Sequence, residues 1–384
     1  MTFLFFLWGF VTVLNDILIP QLKDGFDLSN TQAMLVQFCF FGAYFIVSPF
    51  AGKLVSFIGY KRGIVVGLVV MLIGCLLFYP AAGYEVYGLF LLALFVLASG
   101  ITFLHVAANP YVIALGPEKT EASRINLAQA MNSLGTTLAP IFGVFIISDA
   151  IFVYAEAIQR PYLIIAATLL VVTIIFLKIK LPVISHLENN QEKSDVSIWS
   201  RKPLSLGVLA IFLYVGGEVS IGSFLIIYFS ETVHIGLEQS SAGEMVAYYW
   251  GGAMIGRFIG AFLMKFLRPT RYLAFNALIA ILLIIISMNS SGSIAMWSIL
   301  LVGFFNSIMF PTIFALAIRG LGSLTSKGSA ILCQAGVGGA LVPLLQGITA
   351  DNIGIQMSFI VPMICYLYIG WYALNGAQAN QENF

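Results

Sequence analysis

Charged residues are scarce in this sequence, and their scarcity limits the class of protein. Only 9% of the 384 residues are charged while 60% are hydrophobic, whereas a soluble domain is roughly 25% charged. A soluble chain this apolar would have no way to cover its surface, so the composition indicates a polytopic membrane protein. The net charge of +1 gives no reason to expect a nucleic-acid partner.

Features of secreted, metal-binding and catalytic proteins are also missing. The four cysteines lie in apolar runs, without metal-ligand spacing or a pairing pattern, so we interpret them as buried thiols. The first apolar run has no basic flank before it and no small-residue cleavage site after it, which is unlike a signal peptide. The polar residues show no nucleophile or metal spacing, and no soluble signalling domain is attached. We therefore expect no enzyme, no cofactor and no sensor.

Long apolar segments, separated by short polar breaks, are what the sequence does contain. About 20 helical residues cross the hydrocarbon layer of a bilayer. This predicts an all-α fold of about twelve transmembrane helices, near 3–22, 31–55, 61–80, 86–114, 122–148, 160–180, 204–230, 241–264, 271–289, 294–318, 326–350 and 355–375.

One longer polar stretch, which contains "SHLENNQEKSDVS", divides these segments into two sets of six. We predict an N-terminal six-helix half over 1–180, a cytoplasmic linker over 181–203 and a C-terminal half over 204–384. The halves resemble diverged copies, because Pro110 matches Pro311 (311 − 110 = 201) and Pro140 matches Pro343 (343 − 140 = 203). Two such halves, related by a pseudo-two-fold axis, suit a transporter with its site between them near the midplane.

Basic residues predict the orientation in the membrane. They concentrate after the even-numbered segments and around the central linker, whereas the opposite breaks hold mainly Lys23 and Arg160. The even-numbered breaks are therefore expected in the cytoplasm, with both termini inside. We expect a multi-pass monomer in a bacterial inner membrane, with the lipid bilayer as its surroundings.

Two lone carboxylates stand out against this apolar background. Asp16 lies in "FVTVLNDILIPQ" and Glu218 in "YVGGEVSIGSFL", 202 residues later (218 − 16 = 202). An ionisable group inside a membrane is costly and is typically kept for function. Neither has a basic residue within a helical turn in the sequence, so each is expected to be protonated, cation-bound or exposed to a watery cavity. This predicts a coupling-ion site, and hydrogen-bonded structural carboxyls are the alternative.

Uncharged polar groups form the second set of candidates. His105, beside a helix that we expect Asn109 and Pro110 to break, could carry a proton, hold a sugar hydroxyl or be a satisfied core residue. Trp250 could stack on a sugar or anchor the helix at the interface. Arg257 and Glu244, in segment eight, are either functional residues or charged residues that merely lie near the two ends of the segment. Amides suit polyhydroxylated ligands, and some bridge helices instead; the candidates are Asn15, Gln37, Asn109, Gln129, Asn132, Asn306 and Gln334.

Several motifs resemble a known family. "AGKLVSFIGYKRG" is similar to the loop signature of the major facilitator superfamily, with Ser56 where that motif usually has Asp. "LNDILIPQ", "VAANPYV", "RINLAQAMNSLG" and "PTIFALAI" resemble the fucose–galactose–glucose symporter family through nearly all twelve segments. The resemblance implies a rocker-switch fold of two halves, driven by a cation gradient.

The resemblance also implies roles for particular residues. Asp16 falls on a functional carboxylate of the family, and Gln129 and Asn132 fall on its sugar-contacting stretch. His105 stands where the fucose permeases of the family have a glutamate, so coupling through that glutamate does not transfer. Phe310 replaces a tyrosine of those permeases, whereas Glu218 is typical of the glucose/galactose branch. This favours glucose, galactose or a related hexose over fucose.

The sequence thus predicts a sugar–cation symporter that imports its substrate by alternating access. The coupling ion is H⁺ or Na⁺; Asp16, Glu218 and His105 are the proton candidates, and Asp16, Asn15 and Glu218 would ligate sodium. The predicted sugar-binding residues are Asn15, Gln37, His105, Asn109, Gln129, Asn132, Trp250, Asn306 and Gln334. An exporter or antiporter of amphipathic compounds is the alternative. Its hydrophobic substrates would form few hydrogen bonds with an amide-rich interior, which argues against it.

Overall fold

The computed structural model describes residues 1–12, 30–147, 154–182, 184, 197–231 and 235–377. Regular structure in these ranges is helical throughout, so the predicted all-α class is confirmed. The elements are α1 (Thr2–Thr12), α2 (Asn30–Ile58), α3 (Tyr60–Tyr84), α4 (Tyr87–Ala114), α5 (Glu121–Ile147), α6 (Tyr154–Lys178), α7 (Lys202–Ser230), α8 (Gln239–Leu263), α9 (Pro269–Met288), α10 (Gly292–Asn306), α11 (Met309–Ile318), α12 (Thr325–Gln334), α13 (Gly338–Ile353), α14 (Ile355–Ser358) and α15 (Ile360–Trp371).

These helices follow the apolar segments because a chain in lipid must satisfy its backbone polar groups internally. Within the described part of the chain, nine helical stretches are long and apolar enough to cross a membrane. They include the joined pairs Gly292–Ile318 and Gly322–Ile353. Of the first predicted segment, the structure describes only residues up to Thr12, and α5 and α8 are helices outside this set.

The breaks within the spans differ from the prediction at one place. We expected "HVAANPYV" to break its helix, but α4 runs from Tyr87 to Ala114 through Pro110. Pro110 has no N–H for the carbonyl of Val106, four residues earlier. The Ser329 hydroxyl donates to that carbonyl at 3.0 Å instead, so the helix continues without an unsatisfied acceptor. In the tenth span, by contrast, α10 ends at Asn306 and α11 begins at Met309.

Contacts divide the chain into two compact units. Unit 1 comprises Met1–Leu115, Met131–Lys193 and Leu321–Gln334, and unit 2 comprises Gly116–Ala130, Ser194–Gly320 and Ala335–Phe384. Each unit therefore contains one short segment from the opposite half of the sequence. In unit 1 that segment binds α4 through Ser329.

Unit 2 contains the first turns of α5, and polar side chains hold them to the C-terminal helices. The Ser123 hydroxyl donates to the Ala261 carbonyl at 2.5 Å. The Asn126 amide nitrogen lies 3.2 Å from the Thr312 hydroxyl. Two helices from distant parts of the sequence are thus joined to α5 by hydrogen bonds of buried side chains.

Glycines let helix backbones touch at equivalent places in the two units. A Cβ on Gly135 would lie 2.1 Å from the Phe6 carbonyl oxygen, and one on Gly338 would lie 2.0 Å from the Phe212 carbonyl oxygen. The two glycines are separated by the offset of the predicted repeat (338 − 135 = 203). Small residues at helix crossings are typical of membrane proteins, and here the sequence repeat recurs as a repeated packing contact.

Candidate functional site

Unit 1 contains a buried cluster of aromatic rings around His105. The Tyr44 hydroxyl lies 3.3 Å from Nε2 of His105, with the donor set by the imidazole tautomer. The Trp8 ring meets the imidazole edge-on, with ring centroids 3.9 Å apart. Trp8 and Tyr44 are 3% and 9% exposed, so their rings enclose the imidazole and fix its orientation. His105 is therefore a half-buried, hydrogen-bonded group held between α1, α2 and α4.

The predicted amides of unit 1 have different surroundings. Asn109, one turn after His105, is fully buried in α4. Asn132 donates its Nδ2 to the Phe5 carbonyl at 3.1 Å, which ties α5 to α1. Pro49 has no N–H for the carbonyl of Phe45, four residues earlier in α2. Nε2 of Gln334 donates to that carbonyl at 3.1 Å instead. Asn132 and Gln334 thus bridge helices in this conformation.

Three of the predicted site residues lie outside what the structure describes. Asn15 and Asp16 fall within residues 13–29, and the side chain of Gln37 is likewise outside the description, although its backbone belongs to α2. Among the described residues, no group of three or more His, Cys, Asp or Glu is arranged to hold a metal ion.

Unit 2 contains a second polar cluster, centred on Glu218 of α7. Nη2 of Arg257, on α8, lies 3.4 Å from Oε1 of Glu218, and the two side chains are 15% and 12% exposed. Glu218 has no basic residue within a helical turn in the sequence, and a neighbouring helix supplies its counter-charge. Its partner is 39 residues away in the sequence, on a neighbouring helix, where no local pattern would reveal it. In an ion pair this enclosed, each charge offsets part of the desolvation cost of the other.

Asn306 extends this cluster across two further helices. Its Nδ2 donates to the Tyr249 hydroxyl at 2.8 Å and to the Tyr366 hydroxyl at 2.9 Å. The Tyr249 hydroxyl in turn donates to the backbone carbonyl of Glu218 at 3.3 Å. Asn306 is fully buried, so this network connects α7, α8, α10 and α15 away from water.

Trp250 packs next to this cluster. Its indole lies over Gly222, where an added Cβ would be 2.9 Å from Cζ2 of the ring. Gly222 lies four residues after Glu218, on the same face of α7. The indole is 42% exposed and so retains an open surface one helical turn from the ion pair. This position is compatible with both interpretations of Trp250, stacking on a ligand and anchoring of the helix.

A cavity elsewhere in unit 2 is unsuited to a polar ligand. It has a volume of about 280 Å³ and lies between α8 and α10, and its lining includes Tyr248, Gly251, Ile255, Trp297 and Phe304. These side chains are apolar or aromatic, and they offer few hydrogen-bonding groups to a polyhydroxylated molecule.

The start of α5 contains a second Glu–Arg pair. Nε of Arg319 lies 3.1 Å from Oε2 of Glu121. Burial raises the pKa of Glu121, and the charge and hydrogen bond of Arg319 act in the opposite direction. Arg319 is 36% exposed, so solvent screens this pair more than the pair of Glu218 and Arg257.

Sequence reasoning missed most of the partners in both clusters. Tyr44, Tyr249 and Tyr366 are tyrosines in apolar helices, as interface residues also are, and nothing local distinguishes them. Arg257 did carry a signal, since an arginine within an apolar segment requires a partner. Which residue is that partner depends on how each helix is rotated about its own axis, and residue spacing alone does not determine this rotation.

The arrangement can therefore perform two kinds of chemistry. The cluster around His105 offers an oriented imidazole, which can hold a hydroxyl or a proton. The cluster around Glu218 offers a paired carboxylate, a fixed guanidinium and a nearby aromatic face. These groups suit the binding and movement of a polar solute.

Helical spans with buried polar clusters define a membrane transporter, and comparison with known proteins agrees. Residues 1–332 match the Major Facilitator Superfamily. A glucose/galactose transporter of Brucella abortus is 56% identical over 99% of this chain and 93% of that protein. The L-fucose-proton symporter of Escherichia coli is 35% identical over 96% of this chain and 90% of its own length.

Solved structures agree on the fold. The crystal structure of the transporter FucP in an outward conformation superposes with a TM-score of 0.90 at 35% identity, covering 97% of this chain and 96% of that one. The chain belongs to the major facilitator superfamily. It is accordingly a multi-pass membrane transporter and not an enzyme.

Proposed function

We propose that the chain is a proton-coupled hexose symporter that takes up glucose or galactose by alternating access. The observation that carries the proposal is its 56% identity, over nearly the whole chain, to a protein named as a glucose/galactose transporter. Full-length similarity to an L-fucose-proton symporter supports the coupling to protons and keeps fucose as a second substrate. Both relatives are bacterial proteins, so we also propose a bacterial inner-membrane location with both termini in the cytoplasm.

The polar clusters support a sugar as the substrate. Sugars need hydrogen-bonding groups and an aromatic face in a site that is otherwise apolar. We propose His105 and Gln129 as sugar contacts and Trp250 as the stacking surface. Asn306 and Gln334 already donate to neighbouring helices, so their proposed contribution is to shape the site.

For coupling, we propose that Asp16 takes up the proton. The sequence places it alone among apolar residues, where protonation removes the cost of a buried charge. His105 and Glu218 would tune this step, His105 through its hydrogen bond with Tyr44 and Glu218 through its pair with Arg257. Sodium coupling remains the alternative that the experiment below separates.

The test is uptake of labelled glucose into proteoliposomes under a proton gradient or a sodium gradient, each imposed alone. Accumulation under the proton gradient alone, with competition by unlabelled galactose, is the expected result. Accumulation under sodium alone would overturn proton coupling. Absence of uptake of glucose, galactose and fucose under either gradient would overturn the sugar assignment.

Asp16→Asn tests the proposed proton carrier. Because the amide cannot release a proton, the variant should lose at least about tenfold of its gradient-driven accumulation while it still exchanges labelled for unlabelled sugar. Asp351→Asn, a change to an exposed carboxylate, is the matched control and should accumulate normally. Undiminished accumulation by Asp16→Asn would remove Asp16 from the mechanism.

A further inference from the structure

The break in the tenth span leaves one backbone carbonyl without its helical donor. In a continuous helix the carbonyl of Ser307 would accept from the N–H of residue 311, but residue 311 is proline and has no N–H. Nε of Arg257 donates to this carbonyl at 3.0 Å. The guanidinium of α8 thus replaces the hydrogen bond that Pro311 removes.

The same guanidinium also binds the carboxylate of α7. Its Nη2 lies 3.4 Å from Oε1 of Glu218, while its Nε is directed to Ser307. A planar guanidinium presents these donors in a fixed fork, which lysine cannot reproduce. One side chain therefore connects Glu218 to the break between α10 and α11.

Backbone packing holds Arg257 in this place. A Cβ on the adjacent Gly256 would lie 2.3 Å from the Phe304 carbonyl and 2.4 Å from the Ser307 hydroxyl oxygen, so α8 touches the tenth span there. The other titratable groups that interact with Glu218 are the tyrosines Tyr214, Tyr249 and Tyr366, from α7, α8 and α15. Arg257 is thus the cation of the described cluster.

We propose that Arg257 is a positioning residue for transport: it keeps Glu218 ionised and oriented, and it fixes that carboxylate to the Pro311 break. Movement of α11 and the state of Glu218 are then linked through one guanidinium. The inference rests on the proposed sugar–proton symport and adds a residue and a role that the symport itself does not require.

The first test uses the pH dependence of glucose uptake. Arg257→Met leaves the buried carboxylate of Glu218 without its cation, so Glu218 should hold a proton at neutral pH. Uptake, relative to the unaltered protein, should therefore fall about tenfold at neutral pH and recover as the pH rises and the carboxylate ionises. Glu218→Gln/Arg257→Met has no carboxylate to ionise and should lack this recovery. Identical pH profiles for the single and double variants would overturn the charge role of Arg257.

Lysine at the same position separates the two contacts. Arg257→Lys retains a cation for Glu218, so its pH profile should match that of the unaltered protein. It loses the Nε–H that serves Ser307, so its melting temperature in detergent should fall by about 2 °C. If Arg257→Met is not recovered as folded protein, the pH profile of Arg257→Lys decides: a profile shifted from that of the unaltered protein overturns the charge role.

Pro311→Ala tests the carbonyl directly, because it restores an N–H at residue 311. In that background Arg257→Lys should cost much less in melting temperature. Pro343→Ala, a proline within α13, is the matched control and should give no such relief. Equal losses in all three backgrounds would overturn the role at the break.

Failure of the inference is distinguishable from failure of the proposed function. The melting measurements need no substrate, and the pH profiles are interpreted against the unaltered protein. If the unaltered protein fails to take up sugar under any gradient, the proposed function is wrong whatever the variants do. If it takes up sugar and the variants behave alike, only the role of Arg257 is wrong.

Discussion

His105 and Asn306 occupy equivalent positions in the repeated sequence but do different chemistry. They are separated by the same offset as the two prolines that follow them (306 − 105 = 201; 311 − 110 = 201). His105 meets the hydroxyl of Tyr44, from the second span of its half. Asn306 meets the hydroxyl of Tyr249, from the second span of the other half. The geometry of the duplicated unit has been retained while the side chain has diverged.

The difference shows how one architecture can assign separate tasks to its two halves. Asn306 does not titrate, and its amide connects two tyrosines from different helices. His105 contacts the Tyr44 hydroxyl and the edge of the Trp8 ring, and its Nε2 can donate or accept depending on the tautomer. The amide suits a fixed link between helices, whereas the imidazole can exchange its two hydrogen-bonding roles.

The prolines extend this comparison to the backbone. Pro110 leaves α4 continuous, and its freed carbonyl binds a hydroxyl from α12. Pro311 follows a break, and its freed carbonyl binds a guanidinium from α8. The same residue type thus occurs within an unbroken span and after a break, and in both spans a side chain from another helix binds the freed carbonyl.

The largest effect is expected for Asn306→Leu. Leucine removes the amide that binds the hydroxyls of Tyr249 and Tyr366, and both hydroxyls are buried away from water. We expect a loss of about 2–4 kcal/mol, because each stranded buried group costs about 1–3 kcal/mol. Thermal unfolding of the detergent-purified protein, followed by tryptophan fluorescence, measures this loss.

Asn352→Leu is the matched control, because that amide is exposed and donates to the backbone of its own helix. It should change the melting temperature little. Equal losses in the two variants would show that the tyrosine network adds nothing beyond an ordinary amide, and the comparison with His105 would no longer hold.

A smaller effect is expected for Ser329→Ala. This change removes one hydroxyl from the Val106 carbonyl in a fully buried place, at a cost of about 1 kcal/mol. Pro110→Ala restores an N–H that can serve the same carbonyl, so Ser329→Ala should cost less in that background. The melting temperatures of the four proteins measure the coupling between the two sites.

Ser326→Ala, an equally small change at a buried position of α12, is the control for this cycle. Its cost should be the same with Pro110 and with Pro110→Ala. If Pro110→Ala relieved both serine variants alike, the relief would be general, and the specific pairing of Ser329 with the proline-freed carbonyl would be refuted.

The sequence was sufficient to predict the membrane spans and the repeat, but not the contacts between polar side chains of different helices. Membrane helices depend on local hydropathy, and Gly135 and Gly338 recur at the offset seen in the prolines. The contact between Glu218 and Arg257 joins residues 39 apart on separate helices, so it depends on rotation and packing. The hydroxyl that binds the freed carbonyl of α4 belongs to Ser329, which lies 223 residues after Val106. Interactions of this range have no local pattern from which they could be predicted.

The smallest effect is expected for the second ion pair, Glu121 with Arg319, in which Arg319 is more exposed than either member of the Glu218–Arg257 pair. Burial raises the pKa of Glu121 above its usual value, so its contribution to stability is complete at acid pH and is lost as the pH rises through the raised pKa. Glu121→Gln does not titrate there. The melting temperature of the unaltered protein, relative to this variant, should therefore fall between about pH 4 and pH 8, by an amount equivalent to less than about 1 kcal/mol. Asp351→Asn, at an exposed position of α13, is the control and should change the melting temperature little. If the melting temperature of the unaltered protein instead rose with pH relative to that of Glu121→Gln, attraction to Arg319 would outweigh the effect of burial on Glu121.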